Sequence, residues 1–210
     1  MSIGIPAEAF DFYDHLAVHN TRDFWAEHKQ EYEQFVREPM QRLADALEPE
    51  FGPAHLYRPY RDIRFSKDKT PYKDHQGCVF AAENGLGWYM QISSEGLRIG
   101  GGWHQSTPAQ VARYRAYLLD HGSTQLRAAL KALPKAGFAI DGQQLKTKPR
   151  GVPDDHADLD LLRFRSMYVM KLMEPAAWME TRRLERTVRS GLEKVRPMLE
   201  VLGGIVGPEE

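Results

Sequence analysis

The sequence predicts an α+β fold, an antiparallel sheet laid out as a meander and covered by N-terminal and C-terminal helices. Three observations predict it. Apolar residues recur at helical spacing from Phe10 to Leu47. From Asp62 to Gly101 they alternate with polar ones and are punctuated by the turn dipeptides Asn84-Gly85 and Glu95-Gly96. The helical stripe then returns after Pro108 and again after Pro175. Blocks of helix around a block of strands point to α+β, since a doubly wound parallel sheet needs the two to alternate.

Phe10, Tyr13 and Ala17 share one face of a first helix. Asn20 or Thr21 caps a second, which carries Trp25, His28, Tyr32, Phe35 and Val36. Pro39 stops or kinks it, because proline lacks the amide hydrogen and its ring crowds the preceding turn. Met40, Leu43 and Leu47 continue the stripe to Pro49. Beyond it Ile63 and Phe65 alternate with Asp62, Arg64 and Ser66, which reads as a strand with Arg58, Tyr60, Asp62, Arg64 and Ser66 on one face. The runs Gln76–Ala82, Leu86–Ser94 and Leu97–Gly101 are joined by links too short for a crossover, so they pair antiparallel as neighbours. Ile63, Phe65, Trp88, Met90 and Ile92 are the expected core residues of this region.

Thr107-Pro108 opens the next helix, threonine as cap and proline at the first helical position, and Gly122 closes it. Ser123–Leu133 is a short helix before Pro134, and Phe138–Leu145 reads as a second hairpin turning at Asp141-Gly142. Met167–Leu172 reads as a strand. The last helix opens at Pro175 and carries Trp178, Leu184, Val188, Leu192, Val195, Leu199 and Leu202, with a kink at Pro197. With 210 residues the chain has the length of one domain, placed at 5–203, and the glycine-rich end from 204 to 210 reads as a flexible tail.

Composition narrows the function. Lys and Arg total 28 against 29 Asp and Glu, so no global field draws in nucleic acid or an acidic membrane, and affinity for anions must come from a local cluster. The single cysteine, Cys78, excludes an internal disulfide and any multi-cysteine metal site. It points to a reducing, cytoplasmic setting, and its neighbours Val79 and Phe80 mark it as a buried structural thiol. No apolar run reaches the roughly 20 residues of a spanning helix. Walker A, His-Glu-x-x-His and Gly-x-Ser-x-Gly patterns are absent. Ser66-Lys67-Asp68-Lys69 satisfies Ser-x-x-Lys, but it lacks a partner Lys-Thr-Gly and does not open a helix.

The most informative stretch is basic. Arg58, Arg61, Arg64, Lys67, Lys69 and Lys73 stand against Asp62, Asp68 and Asp74. Arginine forks bind phosphate or carboxylate at two points, and interleaved aspartates orient them. Arg58, Arg61, Arg64, Lys69 and Tyr72 are therefore candidate contacts for a small phosphate-bearing ligand, with Asp62, Asp68 and His104 as candidate proton carriers. Two other readings stand beside this one: an internal ion-pair network, and a non-enzymatic module for nucleic acid or protein.

Arg58-Pro-Tyr-Arg61-Asp62-Ile-Arg64-Phe65-Ser-Lys-Asp68-Lys69-Thr-Pro-Tyr72 resembles the signature of the bacterial and fungal family known as domain of unknown function 2461. The likeness extends from Phe10 through Lys148-Pro149-Arg150-Gly151 and Asp155-His156 into the last helix, with Phe24-Trp25 where the family usually has Trp-Phe. The resemblance implies a shared polar site and names no chemistry.

Gly100-Gly101-Gly102-Trp103-His104 reads as a loop emptying into the helix capped at Thr107, where free amides favour an anion that Arg64 or Lys69 would share. Asp154, Asp155, His156, Asp158 and Asp160 are assigned to the cap and acidic first turn of a short helix, and no metal or cofactor is implied.

Overall fold

A computed structural model describes residues 3–64 and 67–207. Helix α1 (Glu8–Val18) buries Phe10, Phe12, Tyr13 and Leu16. Ala17 is exposed instead, because the stripe i, i+3, i+6 turns the aromatic pair and Leu16 inward. Thr21, not Asn20, caps α2 (Arg22–Glu31) by accepting the Phe24 amide. Pro39 does not stop the helical run. A π-helical turn, Tyr32–Arg37, runs directly into α3 (Glu38–Phe51), and the wider winding just before Pro39 makes room for a residue that offers the ladder no amide hydrogen.

The sheet has six antiparallel strands in the order β1-β2-β3-β4-β6-β5, with flanking helices. β1 is Ala54–Leu56, β2 His75–Glu83, β3 Leu86–Ser93, β4 Gly96–Trp103, β5 Ala139–Asp141 and β6 Met167–Met173. The meander β2-β3-β4 stands as the turn dipeptides require: Asn84 and Gly85 both have positive φ, at 53° and 76°, the conformation that lets a two-residue link follow the strands' twist.

Three local expectations are corrected. Residues 61–64 lie in no strand; just before them Tyr60 makes an isolated bridge with Tyr72, outside the named strands. Ile63 is partly exposed accordingly, while Phe65 and Ser66 lie outside the described residues. Met90 and Ile92 are fully buried and Trp88 is half-buried. Asp141-Gly142 does not turn a local hairpin, since β5 pairs instead with β6, Ile140 opposite Val169. Gly100–Trp103 is not a loop but the second half of β4. A Cβ on Gly100 would overlap the Val169 carbonyl, and one on Gly102 the Tyr168 backbone, so these glycines let two strands approach closely.

The chain divides into two compact units. One comprises residues up to Ala81 with Tyr89–Ile99 and Leu172–Ser190; the other comprises Ala82–Trp88, Gly100–Lys171 and the chain from Gly191. In the first, Phe12, Trp25 and Tyr32 pack ring against ring, with Trp25 4.8 Å from Tyr32. Arg189 binds the Ala46 carbonyl, Glu50 and Glu185.

In the second, α4 (Pro108–His121) opens with a reciprocal Thr107–Gln110 capping box and closes at Gly122. α5 is Thr124–Leu130 and α6 Leu159–Leu162. Trp178 lies in a 3₁₀ turn, Ala177–Glu180, so the last helix, α7 (Arg183–Val206), starts later than Pro175. It continues through Gly203 and Gly204 to buried Ile205 and Val206. Residues 204–206 are therefore helix and not tail, because two apolar residues at its end have a core to enter. Among the described residues no helix is long and apolar enough to cross a membrane.

Candidate functional site

The basic segment lies in the first unit and is anchored from beneath. Asn20, freed from capping, uses its amide as a strand would: its Nδ2 donates to the Tyr72 carbonyl at 3.0 Å and its Oδ1 accepts the Tyr72 amide at 3.1 Å. The Tyr72 ring lies flat on Trp25, 4.1 Å between centroids and 8° between planes. Around the Tyr60–Tyr72 bridge, the Arg61 amide donates to the Pro71 carbonyl at 2.9 Å and the Lys73 amide to the Pro59 carbonyl at 2.8 Å. These bonds tie residues 59–61 to residues 71–73 and fix the neck of the basic loop. Deeper still, Gln76 is buried; its amide donates to the carbonyls of Tyr57 and Gly77 at 2.8 and 2.9 Å, and its Oε1 accepts the Tyr32 hydroxyl at 2.5 Å.

Every aspartate of the basic segment is engaged. Asp62 holds Arg64 at two points, through Nε at 2.9 Å and Nη2 at 2.6 Å. Asp68 pairs with Arg61 through one oxygen, and with the other accepts the Thr70 amide and hydroxyl at 2.9 and 2.8 Å. Asp74 faces His75 at 2.7 Å and Arg61 at 3.5 Å. Lys69 donates to the Ile63 carbonyl at 2.9 Å. Arg58, Lys67, Lys69 and Lys73 have no carboxylate within ion-pair distance among the described residues.

The electrostatics follow from these contacts. The Arg64 fork beside Asp62 holds that carboxyl below its usual range, and the two hydrogen bonds from Thr70 do the same for Asp68. For Asp74 burial works the other way, but the hydrogen bond from His75 and the charges of His75 and Arg61 outweigh it and the net direction is down. Three carboxylates held ionised suit the task of orienting cations. They are poor proton carriers near neutrality, since a general acid or base works best with a pKa near the working pH. Lys73 is the opposite case. Half-buried, with its ammonium 5.1 Å from the centroid of the Tyr57 ring, it is pushed below its usual value by burial and by the charge of Arg58. A cation is thus placed where its surroundings disfavour charge.

The candidate contacts named from sequence, with His104, therefore fall into four groups. Arg58 and Lys69 keep their charges uncompensated among the described residues, whereas Arg61 and Arg64 are held by aspartates, Arg64 with 77% of its side chain exposed. Tyr72 is buried under Trp25 as a support, and burial raises its pKa. His104 belongs to the second unit. There its amide donates to the Gly85 carbonyl at 2.8 Å and its ring meets Tyr168 edge-on, 5.4 Å between centroids.

In that unit, too, Asp158 sits at the N-cap of α6 without making a side-chain cap; with Asp160 it binds Arg127 instead. Among the described residues no group of three or more His, Cys, Asp or Glu is placed to hold a metal.

Sequence reasoning missed Asn20 as a clamp, Gln76 as a hub and Lys73 as an unpaired cation. Asn20 acts across 52 positions of sequence, which no local pattern reveals. The burial of Gln76 comes from tertiary packing, and once buried its amide must find partners.

A family model described as Conserved hypothetical protein (DUF2461) matches residues 8–200. No curated protein matches the chain.

Proposed function

This chain belongs to the family described as conserved hypothetical protein (DUF2461), and on that premise we propose that the Arg58–Tyr72 segment and Lys73 bind a small phosphate-bearing ligand. One observation carries the reading. After Asp62, Asp68 and Asp74 have taken their partners, four basic groups of this segment, Arg58, Lys67, Lys69 and Lys73, are left without a carboxylate among the described residues, and Lys73 is half-buried where the charge of Arg58 disfavours its own. A phosphate supplies the missing anion and relieves the repulsion between two cations. Arg58 and Lys73 are the primary contacts. Lys69 and the exposed Arg64 form the rim, and Arg61 and Tyr72 hold the loop in shape. The single cysteine, buried and protonated, fits a cytoplasmic setting.

Thermal shift with inorganic phosphate, pyrophosphate and sugar phosphates, at low and moderate salt, tests the proposal. A ligand at about 100 times its Kd stabilises the native protein by about 2.7 kcal/mol, which is a readable shift. Arg58→Gln and Lys73→Met are expected to fold as the parent does and to lose most of that shift. No stabilisation by any of these anions, or a shift that both variants retain, refutes the proposal.

A further inference from the structure

The residues around Arg58 alternate. Pro59 is buried, whereas Arg58 and Tyr60 on either side are exposed, and Arg61 turns back inward. The chain bends at the buried Pro59, whose carbonyl accepts the Lys73 amide at 2.8 Å, so the backbone of Lys73 is tied in between Arg58 and Tyr60. Arg58 and Tyr60 flank that point, a cationic and an aromatic residue both open to solvent. Tyr60 is also the outermost member of an aromatic wall. Trp25 and Tyr72 stack face to face, and Tyr60 leans on both, 5.4 Å from Tyr72 and 6.2 Å from Trp25, tilted by 44° and 49°. Yet 49% of Tyr60 is open to solvent. Tyr57, an earlier aromatic of the same stretch, is 37% exposed and already carries the Lys73 ammonium over its ring.

A phosphate alone makes no use of an open ring beside the charges. A phosphate ester with a flat aromatic group does: its anion sits on Arg58 and Lys73, its plane extends the wall at Tyr60, and one sugar ring bridges the gap. Stacking of a base on an aromatic side chain tolerates any base, because every base has a π face. Resting on the phosphate reading above, we infer that the ligand is a nucleotide, its phosphate held by Arg58 and Lys73 and its base stacked on Tyr60. A free nucleotide and a nucleotide within a single strand share this chemistry.

Titration calorimetry of the full chain with inorganic phosphate, ribose 5-phosphate and adenosine monophosphate tests the inference. The nucleotide is expected to bind about tenfold tighter than ribose 5-phosphate. Tyr60→Ala should abolish that difference without weakening ribose 5-phosphate, Tyr60→Phe should restore it, and Arg58→Gln should weaken both ligands alike. Because Tyr60 is half-exposed, circular dichroism should show Tyr60→Ala folded.

Equal affinity for the two ligands, both dependent on Arg58, overturns the nucleotide inference and leaves the phosphate reading standing. Binding of none of the three overturns both. An oligothymidylate arm separates the sources. Tighter binding that falls steeply with salt and depends on Tyr60 assigns a single strand, and affinity no higher than the mononucleotide's assigns the free nucleotide.

Discussion

Tyr32 and Gln76 hold the floor beneath the basic loop, and a double-mutant cycle measures how much. Both residues are 1% exposed. Tyr32→Phe removes the hydroxyl and leaves Gln76 Oε1 buried without its donor, at a cost of about 1–2 kcal/mol. Gln76→Leu keeps the volume but strands more. The Tyr32 hydroxyl loses its acceptor, and the carbonyls of Tyr57 and Gly77 lose a donor. With one buried hydroxyl unmet and two backbone acceptors weakened, about 2–4 kcal/mol is expected.

The double variant leaves neither the hydroxyl nor its acceptor behind. It should therefore lose about 1–2 kcal/mol less than the sum of the singles. Urea denaturation, with midpoints converted at a common slope, gives all four corners of the cycle. Since Gln76 ties down the Tyr57 carbonyl next to Arg58, the single Gln76→Leu variant should also bind phosphate more weakly. Additivity to within about 0.5 kcal/mol would refute the reasoning, because two groups that satisfy each other cannot be independent.

Two further outcomes are expected. Gly100→Ala and Gly102→Ala place a Cβ against the β6 backbone, with Gly102 also at φ 152°, and each should lose about 2–4 kcal/mol by denaturation. Gly122→Ala, at φ +74° with nothing within 4 Å, should lose only about 1 kcal/mol, and equal losses at all three would refute the close-approach account. Burial pushes the Cys78 thiol from 9.0 up to about 12 and raises Tyr13, Tyr32, Tyr89 and Tyr114 as well. Groups whose folded pKa lies above the unfolded value contribute stability that is complete below the unfolded value and lost as pH rises past it, on the order of 4 kcal/mol for Cys78 alone at about 1.36 kcal/mol per pH unit. Stability should hold through neutrality and fall above about pH 9. Thiol labelling and the tyrosinate absorbance of the buried tyrosines should then appear together with the loss of circular dichroism. Labelling of Cys78 in the native protein at neutral pH would contradict this.

The α+β class, the meander, the start of α2 and both ends of α4 were legible in the sequence, because each rests on contacts between near neighbours. A two-residue link at Asn84-Gly85 leaves its strands no choice but to pair, and Thr107-Pro108 starts a helix with its own side chain. The basic loop was legible as a concentration of charge. Its wiring was not. Six cations and three aspartates within one segment admit many pairings, and only the bridge between Tyr60 and Tyr72, with Asn20 clamping from 52 positions away, brings Asp68 to Arg61 and leaves Arg58 and Lys73 uncompensated. The same holds for β1 and β5, three residues each, whose patterns are too short to mark a strand and which exist through their partners β2 and β6. Sequence alone determined the period of each element and where charge is dense. Tertiary structure decided which aspartate neutralises which cation, since a Coulombic or hydrogen-bonded pair depends on a distance that chain reversal sets and local pattern does not carry.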